Sequence, residues 1–265
     1  MNILKNKIND LEFNNDYTQK LLEAEKHFNN IYKVCGYEQR FGCGSYLITG
    51  TEYKYNIVTY QKQKLLFDKA KSSENILEIG TYMGHSLLIM LLANPNLRVT
   101  TIDIVNKYSE PSTKYLQENF PNSKINFIKG NSLNVLPKLK EKFDLIHIDG
   151  SHARTIIKKE FEQCINLSKT NNLNIIFDDY STCKTLNDTI DKSFDLIDSE
   201  IPKCSFTNRF VKIKIEDNKK IMDQRIKKFK YLYLIQYLKE LPRRLINVKA
   251  IINRFVVASR HLPEK

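Results

Sequence analysis

The sequence predicts an α/β fold built on a mostly parallel sheet with a terminal antiparallel strand and flanking helices. Three observations support this prediction. Short apolar runs alternate with helical segments between residues 75 and 197. Polar residues or glycines follow the end of each run, where parallel sheets bind ligands. Two further short apolar runs then follow with only a tight connection between them, which is typical of an antiparallel pair.

The elements are predicted in chain order as follows. Residues 1–45 form a helical prelude, because apolar residues recur there at roughly helical spacing before RFGCGS interrupts the pattern. A second helix covers 59–71. The predicted strands are 75–79, 97–103, 125–128, 143–149 and 173–177, and the predicted helices between them are 85–93, 111–119, 132–140, 153–168 and 182–197.

The last part of the chain is predicted to hold two strands and a basic helical tail. The strands cover 203–207 and 210–215. In the tail, Pro242 separates two helical candidates, and the second is amphipathic. The predicted organisation is an N-terminal helical or lid segment (1–54), a central domain (55–218) and a C-terminal extension (219–265).

The positive charge of the chain is concentrated in that extension. The whole chain has 265 residues, is 42% hydrophobic and carries a formal net charge of +12. Residues 219–265 hold 13 Lys or Arg and 3 Asp or Glu, whereas the preceding 218 hold 29 and 27. Because the body is close to neutral, the charge argues against a nucleic-acid partner. Helices docking on the body or on a second copy are favoured, and contact with an anionic membrane comes next.

The cysteine pattern and the apolar runs indicate a cytoplasmic protein. The five cysteines include no CxxC pair and are odd in number, which favours reduced thiols over a disulfide framework or a zinc site. No secretory signal is visible at the N-terminus, and no run of 18 apolar residues suggests a membrane span.

The first predicted strand ends in LEIGTYMGHS (77–86). Gly80 and Gly84 lie in the strand-to-helix turn, with a spacing that differs from both the dinucleotide and the phosphate-loop motifs. Glu78 would repel a pyrophosphate but suits a cationic amino-acid group. Asp103 ends the next strand, where a carboxylate can accept hydrogen bonds from ribose hydroxyls. Alternatively, the glycines serve only the turn and its packing, and Asp103 is a solvated strand end.

This order of motifs resembles the class I S-adenosylmethionine-dependent methyltransferases over about residues 55–215. The resemblance implies a Rossmann-like methyltransferase sheet that binds S-adenosylmethionine. Glu78 and Gly80 would frame its methionine part, Asp103 would hold the ribose, and KGNSLNVLP (129–137) would place two side chains beside the adenine. The implied cofactor-binding set is Glu78, Gly80, Thr81, Gly84, Ser86, Asp103, Asn131 and Ser132.

Three aspartates are predicted to meet at one edge of the sheet. Asp149 ends the fourth parallel strand, and Asp178 and Asp179 end the fifth, which a single helix connects to it. Carboxylates at one edge repel each other unless a cation lies between them, and Mg²⁺ prefers such oxygen ligands. We therefore expect a metal site formed by all three. Helix capping by Asp179 is the structural alternative, but it explains one aspartate only.

His152 follows Asp149 by three residues, in the stretch FDLIHIDGSHAR (143–154). A neutral imidazole at this edge can remove a proton from an acceptor hydroxyl, while a lone histidine is more often a capping or surface residue. IDGSH together with the Asp178-Asp179 pair is similar to the metal-dependent sugar O-methyltransferases of the macrocin and mycinamicin type. That resemblance implies Mg²⁺ at Asp149, Asp178 and Asp179, and His152 as the catalytic base. His85 is the competing candidate.

The expected activity is therefore methyl transfer to a hydroxyl of a sugar, a nucleotide sugar or a glycosylated small molecule. Two alternatives stay open. One is an RNA or protein methyltransferase that docks through its basic tail, and the other is a non-catalytic methyltransferase-fold interaction module. A homo-oligomer and peripheral membrane contact through the tail are further expectations.

Overall fold

The computed structural model describes residues 15–36, 57–151, 153–178, 180, 184–203 and 208–259, and for 240–259 it describes the backbone alone. The described chain forms two compact units. One includes the residues up to 184 together with 195–217, and the other includes 185–194 together with the chain from 218 onward. The predicted boundaries at 54 and 218 stay predictions.

The first unit contains a seven-stranded sheet with helices. Its helices are α1 (Asp16–Val34), α2 (Ile57–Ala70), α3 (His85–Ala93), α4 (Asn106–Asn119), α5 (Ser132–Val135) and α6 (Arg154–Cys164), and short 3₁₀ turns follow α5 and α6. Its strands are β1 (Asn75–Ile79), β2 (Arg98–Asp103), β3 (Lys124–Lys129), β4 (Leu145–Ile148), β5 (Asn172–Phe177), β6 (Leu196–Glu200) and β7 (Arg209–Lys214).

The strand order β3-β2-β1-β4-β5-β7-β6 confirms the predicted fold class. β1 to β5 pair in parallel, and β7 runs antiparallel to both β5 and β6. Backbone hydrogen bonds extend the ladder past the strand ends: Gly80 N–H donates to Ile102, Asp149 N–H to Ile79, and Asp178 N–H to Ile148. The carboxyl ends of β2, β1, β4 and β5 therefore meet at one edge.

The described part of the prelude, residues 15–36, is helical over Asp16–Val34, as its apolar spacing predicts. Asn15 caps α1 by accepting a hydrogen bond from the Thr18 N–H at 3.1 Å. α1 then packs on α2 through a buried aromatic cluster, in which the Tyr17 ring lies 5.1 Å from that of Tyr60 and 5.2 Å from that of Phe67. The buried hydrophobic residues of α1 and α2 belong to the same hydrophobic core as the sheet residues Ile76 and Leu145. The RFGCGS segment that interrupts the predicted helix lies outside the described residues.

Two predicted boundaries near prolines are wrong. α4 begins at Asn106, five residues before the predicted start at Pro111. A proline lacks the N–H for one helical hydrogen bond, yet the chain keeps its helical course here. The predicted break at Pro242 is also absent, because α8 (Lys219–Ser259) is continuous. Proline favours a helix start or end without enforcing one.

The sequence predicts a strand at 203–207 as the partner of the last strand, and residues 204–207 lie outside the described part of the chain. On its other side from β5, β7 pairs with β6, in a segment where the sequence predicts the end of a helix and the start of a loop. All five residues of β6 are exposed. An edge strand of this kind lacks the buried alternation by which a strand is recognised.

The second unit pairs α7 (Lys184–Ser193) with α8. The rings of Phe194 and Phe229 lie 5.9 Å apart, and the Thr189 hydroxyl lies 3.3 Å from the Gln236 Oε1. The apolar residues of these helices thus share a small core of their own. Within the described chain, no helix combines the length and the apolar character needed to cross a bilayer.

The turn after β1 depends on Gly80. Its φ of +94° lies in the region that favours glycine. A Cβ at this position would lie 2.2 Å from the Asp149 carbonyl oxygen and 2.7 Å from the Gly150 Cα. The absence of a side chain therefore allows the ends of β1 and β4 to approach each other at the ligand-binding edge.

We predict that Gly80→Ala lowers the free energy of unfolding by at least about 3 kcal/mol, since it combines left-handed backbone strain with a backbone clash. Gly36→Ala is the matched control: its φ is +83°, but a Cβ there meets nothing within 4 Å. It should cost about 1 kcal/mol. Urea denaturation measures both values, and equal losses would contradict the packing role of Gly80.

Candidate active site

Asp103 organises the turn that follows β1. Its Oδ2 accepts hydrogen bonds from the Thr81 N–H at 3.1 Å and the Tyr82 N–H at 2.6 Å, and its Oδ1 accepts one from the Val105 N–H at 2.9 Å. Tyr82 has a φ of +46°, which is rare for an aromatic residue. The carboxylate at the end of β2 thus holds the neighbouring turn in a strained conformation.

Glu78 is fully buried inside the sheet. Its Oε2 accepts a hydrogen bond from the Thr101 hydroxyl at 2.7 Å, and that hydroxyl also contacts the Thr81 hydroxyl. The Glu78 Oε1 lies 3.6 Å from the His147 Nδ1. Both oxygens thus face groups of the adjoining strands, so the predicted contact with the methionine part of a cofactor stays a prediction.

His147 lies between two carboxylates. It pairs with Glu78 in the register of β1 and β4, and its Nε2 lies 3.9 Å from the Asp178 Oδ1. Burial alone would lower the pKa of His147, but the carboxylates of Asp178, Glu78 and Asp149 raise it to about 10. The imidazole is therefore a buried cation at neutral pH.

Lys62 supplies a second cation from α2. Its Nζ contacts the Asp178 Oδ2, and the two side chains are 18% and 5% exposed. Burial alone would raise the pKa of Asp178, but Lys62 and His147 together hold it below its ordinary value. Asp178 is therefore an ionised carboxylate between two positive groups.

Asp149 completes the cluster from the end of β4. Desolvation and the charge on Asp178 raise the pKa of Asp149 well above its ordinary value, although Lys62 and His147 act in the opposite direction. One ligand atom from each of Asp149, Asp178 and His147 lies within 4.8 Å of the others. Among the described residues, the buried Asp178 Oδ1 has no hydrogen-bond partner. These oxygens suit a hard cation, with Lys62 as the resident counter-charge.

A hydrogen bond to α6 holds the segment after β3. Asn131 caps the short helix α5 by accepting from the Leu133 N–H at 3.0 Å. The Ser132 hydroxyl donates to the Glu160 Oε1 at 2.6 Å, and Glu160 is only 1% exposed. Burial raises the pKa of Glu160, although the hydrogen bond from Ser132 opposes the shift. Both predicted adenine-side residues therefore shape this loop.

The remaining predicted positions divide into two groups. Gly84 has a φ of +74° and caps α3, and a Cβ there would lie 3.1 Å from the Ser112 Oγ, so it serves turn and packing. Ser86 is half-buried on α3. His152 and Asp179 lie outside the described residues. The competing candidate His85 is buried on α3, with its ring 5.2 Å from that of Phe28.

Sequence reasoning missed His147 and Lys62. The sequence contains a signal for His147, because a polar residue inside an apolar run such as LIHI is unusual in a buried strand. Glu78 inside NILEI is a second example. The sequence contains no such signal for Lys62. This lysine is separated from Asp178 by 116 residues, and the chain contains 42 Lys and Arg from which the pattern cannot select one.

Comparison with known proteins supports a methyltransferase domain at this edge. Residues 77–180, which extend from β1 past Asp178, match the family model described as a methyltransferase domain (Methyltransf_24). A protein of Arabidopsis thaliana named for caffeoyl-CoA O-methyltransferase activity is 34% identical over 89 residues, which cover 32% of this chain. The matched region spans only 38% of that relative.

Solved structures show the same fold. Cofactor-bound Rv0187 from MTB superposes with a TM-score of 0.53 at 17% identity, covering 80% of this chain and 96% of that protein. The O-methyltransferase TomG from Streptomyces achromogenes, solved with S-adenosylmethionine, has a TM-score of 0.50 at 14% identity, covering 72% and 91%. The chain therefore has the Rossmann-like fold of class I methyltransferases.

Removing the Lys62 charge should leave the buried Asp178 carboxylate with compensation from His147 alone. We predict that Lys62→Met lowers the free energy of unfolding by about 3 kcal/mol. In an Asp178→Asn background the same change should cost less than about 1 kcal/mol, because no charge is then left unpaired. Urea denaturation of the four proteins measures this coupling. Additive losses would show that Lys62 does not act through Asp178.

Proposed function

We propose that the chain is an S-adenosylmethionine-dependent, Mg²⁺-assisted O-methyltransferase that acts on a hydroxyl of a sugar, a nucleotide sugar or a glycosylated small molecule. The observation on which this depends most is the meeting of Asp149 and Asp178 at the strand edge that also bears the Gly80 turn and Asp103. The proposal is supported by this proximity of a candidate cation site and a candidate cofactor site on a methyltransferase fold.

The proposed cofactor site follows the carboxyl ends of β1, β2 and β3. The Asp103 carboxylate accepts one hydrogen bond at Oδ1 and two at Oδ2, and this residue is partly exposed. A carboxylate oxygen accepts about two hydrogen bonds, so Oδ1 retains a lone pair for a ribose hydroxyl. Asn131 and Ser132 would line the adenine side, because their loop starts one strand further along the same edge.

The proposed cation site uses the oxygens of Asp149 and Asp178, with Asp179 as a third candidate. Bound Mg²⁺ would lower the pKa of an acceptor hydroxyl and hold it in place. Lys62 already compensates the negative charge of Asp178. Because a metal ion would compensate the same charge, Lys62 would reduce the electrostatic attraction of Asp178 for the metal. Lys62 and His147 keep Asp178 ionised at the carboxyl edge of the sheet.

The hydroxyl acceptor is supported by the names of two similar proteins, both O-methyltransferases, and by the DGSH stretch after β4. His152 is the proposed base that removes the hydroxyl proton. His147 is a poor base, because it is already protonated at neutral pH between Glu78 and Asp178. A sulfonium donor needs no acid for its leaving group, so one base and correct positioning suffice. A cytoplasmic location and a homo-oligomer complete the proposal.

We predict methyl transfer to hydroxyls in a panel of sugars and nucleotide sugars, assayed with isotopically labelled S-adenosylmethionine. Asp149→Asn and His152→Ala should each lower kcat at least about 100-fold while cofactor affinity stays within about threefold. Asp198→Asn is the control, since this aspartate is 54% exposed on the edge strand β6.

Two results would contradict parts of the proposal. Turnover that persists after chelation and is not raised by added Mg²⁺ removes the role of the metal. Unchanged kcat in either active-site variant removes the role assigned to that residue.

A further inference from the structure

α8 has two apolar faces on opposite sides. Met222, Phe229 and Tyr233 are buried, and Phe229 contacts Phe194 of the same unit at 5.9 Å. These positions recur at the spacing expected for one side of a helix. The core of the second unit therefore accounts for this face and leaves the opposite side of α8 outside.

The opposite face presents Tyr231, Leu234 and Leu238, which are 64%, 53% and 51% exposed. Their spacing of three and four residues places them in one row, and at 100° per residue the row lies about 180° from Phe229. The hydrophobic core of the second unit therefore does not account for these three large apolar side chains. Single exposed apolar residues are ordinary, but a row on one helix face indicates a binding surface.

The charge around this row is predominantly positive, with Asp223 and Glu240 as the acidic residues that flank it. Residues 224–239 contain five Lys or Arg and no Asp or Glu. Lys227, Lys228 and Lys230 are exposed one turn before the apolar row, and Lys239 is exposed just after it. An apolar row bordered by lysines fits a surface that offers both negative charge and an apolar layer.

We propose that this face of α8, formed by Tyr231, Leu234, Leu238 and the bordering lysines, binds the surface of an anionic lipid bilayer. A second copy placed on the same face would bring five positive charges against five, which disfavours a dimer there. A nucleic acid would satisfy the lysines but leaves the leucines without an apolar partner. An anionic lipid surface satisfies both features. The proposal is independent of the methyl-transfer chemistry.

The test is sedimentation of the full-length protein with lipid vesicles. The protein should pellet with vesicles of phosphatidylglycerol and phosphatidylcholine in equal parts, and should stay in solution with phosphatidylcholine alone. The triple variant Tyr231→Ser, Leu234→Ser, Leu238→Ser should bind at least about tenfold more weakly, because it removes the inserted apolar area. Lys227→Glu with Lys230→Glu should reduce binding comparably and weaken its dependence on salt.

Two matched controls distinguish binding through this face from non-specific binding to vesicles. Val34→Ser, Ile197→Ser, Ile201→Ser removes three exposed apolar residues of the first unit (41%, 50% and 41% exposed), and Lys138→Glu with Lys140→Glu reverses two exposed lysines there. Both should bind vesicles like the parent, and circular dichroism should show that every variant is folded.

Three results would overturn the proposal: no binding to anionic vesicles, equal binding to neutral vesicles, or unchanged binding of the apolar triple variant. A dimer or an RNA complex that the triple variant loses, in the absence of vesicle binding, would assign this face to that partner instead.

Discussion

The structure depends most on the compensation of buried negative charge at one edge of its sheet. Glu78 and Asp178 approach the two ring nitrogens of His147, at 3.6 and 3.9 Å, and Lys62 contacts the other oxygen of Asp178. Buried carboxylates are costly unless positive groups accompany them. β1, β4, the end of β5 and α2 each contribute one charged group to this cluster. The compensation therefore depends on the register of β1 and β4 and on the positions of β5 and α2.

The same cluster defines what the edge can do. Asp178 stays ionised because it has a cation on each side, while burial, followed by the charge on Asp178, raises the pKa of the Asp149 carboxyl. The two carboxyl groups provide oxygens for a cation, and the charge of that cation would lower the pKa of an acceptor hydroxyl. A few residues away, Asp103 and Gly80 shape the turn where a cofactor would lie. Charge compensation and backbone approach thus act together at one edge.

Much of this arrangement was predictable from local pattern. The buried parallel strands follow from their apolar runs, and the meeting of Asp149 with Asp178 follows from the rule that parallel strands end at one edge. The edge strand β6 was not predictable, because its exposed residues have no buried alternation. Neither was Lys62, whose partner is distant in the chain. Pattern predicts which strand ends meet, and long-range packing decides which charges meet there.

Isothermal titration with S-adenosylhomocysteine tests the central claim that this edge binds the cofactor. Asp103 and Asp144 form a matched pair, since each carboxylate accepts backbone N–H groups at a strand terminus: Asp103 at the carboxyl edge, and Asp144 at the start of β1 through Glu74 and Asn75, at 3.0 and 2.8 Å. We expect one molecule bound per chain, at least about tenfold weaker binding in Asp103→Asn, and unchanged affinity in Asp144→Asn. Absence of binding to the parent protein, or equal losses in both variants, would contradict the account.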